Sequence, residues 1–143
     1  MLLAYMGERS PEFNPVWNIV YAVQPYALKV LKAVGIHPKE HPFVLGRLDP
    51  RYTPKQLKAL LESHGFEDDI LSWKDSGQIL SMRKVHEHEF QWHLRLRRNG
   101  EIRGHYEYAP EGSVLKHDLG RVFKADRHFF VSVLGEYLIP SAK

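Results

Sequence analysis

His93, Arg95, Arg97, Arg103, His105 and Glu107 are the residues of this chain whose types and spacing can do chemistry. They lie in a stretch, Phe90 to Tyr108, where apolar and polar residues alternate on either side of Asn99-Gly100, the pattern of two antiparallel strands and a turn. A two-residue turn would set Trp92 against Glu107 and Leu96 against Arg103, mixing apolar and charged groups on one face. A three-residue turn through Arg98, Asn99 and Gly100, with Gly100 left-handed, instead pairs Leu96 with Ile102, Trp92 with Tyr106 and Phe90 with Tyr108. One face is then coherently apolar. The other sets Arg97 against Glu101, Arg95 against Arg103, His93 against His105 and Gln91 against Glu107.

Directly opposed side chains on paired strands have β-carbons about 4.5–5.5 Å apart, so His93 and His105 can share a proton or grip one ligand. The preferred reading is phosphate chemistry: one imidazole as general base, the other as general acid, Arg95, Arg97 and Arg103 holding the phosphate, and Glu107 and Glu89 orienting a histidine. Nucleic acid is the expected partner. RNA is favoured over DNA because its 2′-hydroxyl is an internal nucleophile that needs no metal, so no cofactor is required. An alternative makes His93, His105 and Glu107 the ligands of a divalent ion such as zinc, as in an open hydrolytic site, although Arg95 and Arg103 would oppose a dication. The plainest reading leaves the residues on a solvated sheet face, since antiparallel sheets commonly keep one face wet.

His117, in Leu115-Lys116-His117-Asp118, is a further candidate catalytic histidine if its loop folds back over this face. His86-Glu87-His88-Glu89 looks like a metal box, but in a strand its histidines and glutamates point to opposite faces, which favours a strand junction. No glycine-rich phosphate loop, dinucleotide fingerprint, serine elbow or zinc finger occurs.

The surrounding elements follow from punctuation. Asn14-Pro15 starts a helix that Pro25 interrupts and Gly35 closes. Thr53-Pro54-Lys55-Gln56 is an N-cap, first-turn proline and capping-box partner, and Gly65-Phe66 ends that helix. Lys55 and Lys58 are expected to be solvated. Residues 70–73 and 78–85 read as a first hairpin, and Asp126 caps a last helix that runs to Pro140 with Gly135 inside it. The expected fold is α+β: a four-stranded antiparallel meander, one face covered by N-terminal and C-terminal helices. Residues 14–65 form the helical half, 70–109 the sheet and 126–139 the last helix of one domain.

Composition sets the remaining bounds. A length of 143 residues with 43% hydrophobic and 26% charged residues suits one globular domain. Having no cysteine excludes disulfides, thiolate metal sites and thiol nucleophiles. The net charge of +3 lies in residues 70–143 and is mostly arginine, suited to phosphate or carboxylate. Residues 1–6 lack the features of a signal peptide, and the apolar stretch 16–34 is broken by Asn18, Gln24, Pro25, Lys29 and Lys32. These features point to a cytoplasmic protein with no membrane span. A rival from another class is a non-enzymatic assembly protein, even a homodimer, because residues 1–13 and 44–52 have no assigned place and could reach a partner.

Overall fold

The computed structural model describes residues 22–23, 26–27, 29–35, 43–69, 77–87, 89–109 and 122–142. The chain forms two compact units, Met1–His37 and Pro38–Lys143. In the first, residues 29–33 are helical and the helix stops at Gly35, which has the positive φ (+85°) that ends helices. The expected helix start at Asn14 lies outside the described residues, as do strand residues 70–73. No helix among the described residues is long and apolar enough to cross a membrane.

The second unit is α+β. Its elements are β1 (Val44–Leu48), α1 (Pro54–Ser63), β2 (Glu67–Asp68), β3 (Gln78–His86), β4 (Phe90–Arg97), β5 (Glu101–Tyr108), β6 (Val122–Lys124), α2 (Arg127–Leu134), a 3-10 turn (Gly135–Tyr137) and β7 (Leu138–Pro140). Among the described residues the sheet has seven strands rather than four, in the order β2-β3-β4-β5-β1-β7, with β6 also paired to β5. The β3-β4-β5 meander is its centre. β1 comes from the segment that had no assigned place, and its antiparallel pairing with β5 removes that edge of the meander.

β4 and β5 pair in the register set by the three-residue turn: Phe90 with Tyr108, Trp92 with Tyr106, His93 with His105, Arg95 with Arg103 and Leu96 with Ile102. Gly100 takes the left-handed φ (+87°) that this turn requires. β3 and β4 meet at a strand junction, with Glu87 at φ +52°.

The apolar face packs against α1 and α2. Leu57 and Leu61 of α1 and Phe130, Val133 and Leu134 of α2 join Met82, Leu94, Leu96 and Ile102 in one buried core. α1 begins at a true capping box, Thr53 and Gln56 bonding each other's backbone N–H. It ends in a Schellman turn, with Phe66 N–H to the Leu61 carbonyl and Gly65 N–H to the Glu62 carbonyl. Lys58 is not simply solvated: its ammonium donates to Asp68 Oδ2 at 2.7 Å, tying α1 to β2, and this bond raises its pKa.

The last helix is shorter than its periodicity suggests. α2 stops at Leu134, and Gly135 (φ +50°) ends it rather than lying inside it. The following apolar residues serve a strand, β7, alongside β1. Asp126 occupies the N-cap position without capping; its carboxylate accepts instead from Trp92 Nε1 at 2.7 Å.

Gly104, between Arg103 and His105, lets α2 lie against the sheet directly behind the histidine pair. A β-carbon there would sit 2.8 Å from Leu45 Cδ1 and 3.0 Å from the Phe130 ring. Gly104→Ala is therefore expected to lower stability by about 1–3 kcal/mol, the usual cost of overpacking. Equilibrium denaturation checks this, and an unchanged midpoint would mean that Phe130 gives way freely.

Candidate metal centre

The polar face of the β3-β4-β5 meander is not wet. His93 and His105 are each 1% exposed, Glu107 2%, Gln91 0%, and Arg83 and Arg95 3%, as buried as the apolar core. The expectation of a solvated face is overturned, and the reason is cover: the alternation that sorts side chains onto two faces does not say whether anything packs on the polar one. Buried polar groups must then satisfy one another.

Glu107 lies at the centre. Its Oε1 is 3.4 Å from His93 Nδ1 and its Oε2 is 3.2 Å from His105 Nε2, while the two imidazole centroids are 5.2 Å apart. Ligand atoms of His93, His105 and Glu107 all lie within 4.8 Å of one another. Strand register brings them together. His93 and His105 are cross-strand partners, and Glu107 follows His105 by two residues on the same face of β5.

Around these three lies a second layer that sequence reading did not assign. Asp69, just beyond β2, puts Oδ2 at 3.2 Å from His93 Nε2, and Ser81 Oγ is 2.8 Å from the same nitrogen. Gln91 donates from Nε2 to Glu107 Oε1 at 2.8 Å, and Arg83 donates to Gln91 Oε1 at 3.3 Å. Arg83 itself is held by Glu67 Oε1 at 2.7–2.8 Å. The chain Glu67–Arg83–Gln91–Glu107 thus fixes the orientation of the carboxylate. Asp69 has no local sequence signal. It reaches His93 because the short β2 pairs with β3, the Asp69 N–H continuing that ladder to the Ser81 carbonyl at 2.9 Å.

A carboxylate only accepts hydrogen bonds. Carboxylate oxygens of Asp69, 3.2 Å from Nε2, and of Glu107, 3.4 Å from Nδ1, therefore both face the ring, and a neutral His93 has a single N–H to offer them. Burial pushes the His93 imidazole below its ordinary pKa, outweighing the nearby Asp69 carboxylate, so the ring is held in the neutral form that offers a lone pair.

Compared with models of known families, with curated proteins and with solved structures, the chain has no match. Its chemistry has to be read from the geometry alone.

Of the remaining sequence candidates that are described, Arg95 adjoins this cluster and Arg97, Arg103, Glu89 and His86 do not. Arg103 Nε donates to Glu101 Oε1 at 2.6 Å, and Arg97 lies 3.7 Å from the same carboxylate. Arg95 stays beside the histidines. Glu89 lies exposed in the β3-β4 junction, its backbone carbonyl accepting from Ala109 N–H at 2.9 Å. His86 faces the aromatic side, against Trp92 and 2.9 Å from the Tyr106 hydroxyl. His117 lies outside the described residues.

Proposed function

We propose that this chain is a metal-dependent hydrolase whose divalent ion is held by His93 Nδ1, His105 Nε2 and the Glu107 carboxylate. The observation that carries this reading is the spacing of the donors. With metal–ligand bonds of about 2.0–2.1 Å, neighbouring ligands of a tetrahedral ion lie roughly 3.3 Å apart. The two histidine–glutamate separations, 3.4 and 3.2 Å, each to a different oxygen of the carboxylate, are close to that edge, and donor atoms of all three residues lie within 4.8 Å of one another. A charge-assisted hydrogen bond would draw the atoms closer, to about 2.7–2.9 Å. Two imidazoles and one carboxylate would hold a divalent ion with a position left open, and the chemistry it would supply there is a water acidic enough to attack an ester near neutral pH. Asp69 behind His93 and Gln91 behind Glu107 supply the outer partners that metal ligands characteristically have.

A polynucleotide fits this geometry less well. A polymer needs its phosphate-binding cations at the surface, whereas Arg95 is 3% exposed and Arg103 already holds Glu101.

The test is zinc stoichiometry in protein purified without chelator and loaded with zinc, followed by hydrolysis of bis-p-nitrophenyl phosphate with and without EDTA. One bound equivalent and EDTA-sensitive turnover, both lost in His105→Ala, are expected. Substoichiometric zinc overturns the reading, and cleavage of single-stranded RNA in EDTA would restore the metal-free two-histidine alternative. Asp69→Asn is expected to keep the fold and weaken zinc about 10–100-fold, the usual loss for an outer partner. Unchanged affinity by competition titration would remove Asp69 from the centre.

A further inference from the structure

We propose that the cleft between β1, β7 and the β4-β5 turn binds a small aliphatic carboxylate, with its charged end on the Arg47 guanidinium and its chain against Val44, Ile139 and Pro140. This site is separate from the metal centre. On β5 it adjoins Glu101, four residues and roughly 13 Å along the strand from His105. Three observations carry the proposal.

The first is a cavity. A cleft of about 290 Å³ opens at this end of the sheet, lined by the apolar Val44, Ile139 and Pro140 and by the polar Arg47, Asn99 and Glu101. Its walls are tied in place. Ser141 N–H donates to the Leu45 carbonyl at 3.1 Å, and Arg127 donates to the Ser141 and Val44 carbonyls at 3.0 and 3.4 Å. A ligand entering a preformed cleft loses little affinity to ordering it. Pockets for drug-sized molecules run from about 300 to 1,000 Å³, so this one suits a smaller ligand.

The second is the placement of charge. Cross-strand pairing sets Glu101, Arg47 and Ile139 in one row, from β5 through β1 to β7. Arg47 is exposed, and its Nη2 donates to the Asn99 carbonyl, which holds the guanidinium at the turn. A guanidinium carries five N–H donors in a fixed fork, so that bond leaves it able to take a carboxylate as well. Glu101 lies opposite Arg47, yet it does not bar an anion. Its Oε1 accepts from Arg103 Nε at 2.6 Å, and Arg97 Nε lies 3.7 Å from the same atom, so the one acid at the cleft has cations on more than one side.

The third is the strand edge. Ile139 is 48% exposed beside that cation, so one ligand can meet both an apolar wall and a positive charge. An extended peptide is the other occupant such an edge could take, and it finds few donors. Leu138 N–H bonds the Gly135 carbonyl, Ser141 N–H bonds the Leu45 carbonyl, and Pro140 has no N–H. An inorganic anion would leave the apolar walls unused. A short carboxylate uses both halves of the cleft.

Hexanoate is the probe, titrated into the full chain and followed by amide chemical shifts, with acetate and 1-hexanol for comparison. It should shift the amides of Gly46, Arg47, Ile139 and Ser141, and bind more tightly than acetate by about 4-fold for each methylene the cleft buries. Arg47→Gln should weaken hexanoate by about 10-fold or more, the scale of a hydrogen bond between charged groups, and bring it level with 1-hexanol. Arg47→Lys keeps the charge without the fork and should fall between. Ile139→Ala should weaken hexanoate and leave acetate unchanged, which keeps the test open if the glutamine variant does not fold. Equal affinity for acetate and hexanoate would mean that Arg47 gathers anions without a pocket, and overturns the proposal. So do undiminished binding in Arg47→Gln, shifts confined to other parts of the chain, or no binding. Every titration is run without metal, so its outcome stands apart from that of the metal reading.

Discussion

Glu107→Gln should abolish stoichiometric zinc binding while leaving the fold in place. The carboxylate meets both imidazoles, Oε1 at 3.4 Å from His93 Nδ1 and Oε2 at 3.2 Å from His105 Nε2. Glutamine keeps the shape, and its carbonyl oxygen can still accept from Gln91 Nε2, the bond that holds the carboxylate at 2.8 Å. What it loses is the negative charge and a strongly basic ligand oxygen. Affinity should therefore fall by more than the roughly 100-fold that marks the upper range for an outer partner. Competition titration against a chelator of known affinity measures the loss, and far-UV circular dichroism shows whether the sheet survives. A variant that keeps wild-type zinc affinity would place the ion elsewhere. One that binds no zinc and also unfolds would be read against Asp69→Asn, which perturbs the same centre from outside.

The centre was partly legible in the sequence, and the boundary is instructive. His93, His105 and Glu107 could be placed on one face because strand alternation and the choice between two turn lengths determine which side chains are neighbours. Both are local properties. Burial of that face was not legible, because period-two alternation looks the same whether the polar side meets water or protein. Asp69 and Ser81 were missed because their approach to His93 depends on β2 and β3 pairing, a contact with no local pattern. The same holds for β1 and β7. Residues 44–48 are too short to read as a strand alone, and 138–140 continue the apolar spacing of α2 until Gly135 breaks the helix. Caps were legible where they close locally, as at Thr53. Asp126 had the right residue type, but Trp92 took its carboxylate.

Gly46→Ala should produce the largest loss of stability of any single methyl group added to this sheet. Gly46 sits at a register irregularity in β1, opposite Ile102 of β5 on one side and Pro140 of β7 on the other. A β-carbon there would lie 2.1 Å from the Ile139 carbonyl oxygen and 2.9 Å from Ile139 C and Pro140 Cα. These are backbone atoms, so no rotamer change relieves the clash, and one strand must move. β7 is the edge strand, yet it is not free to swing away. Ser141 N–H bonds the Leu45 carbonyl at 3.1 Å, Asp49 N–H bonds the Tyr137 carbonyl at 2.9 Å, and Arg127 holds the Ser141 carbonyl at 3.0 Å. The methyl therefore works against several bonds at once, and a loss of about 3 kcal/mol, the upper end for overpacking, is expected. For a domain of this size that lowers the melting temperature by roughly 10 °C. Gly77→Ala separates sterics from backbone strain: Gly77 has φ +71° and nothing within 4 Å of an added β-carbon, so it should cost only about 1–2 kcal/mol. Equal losses at the two positions would mean that β7 yields to the methyl. A much larger loss at Gly46 would show β1 clamped between β5 and β7, and with it that β5, the strand carrying His105 and Glu107, is held from both sides.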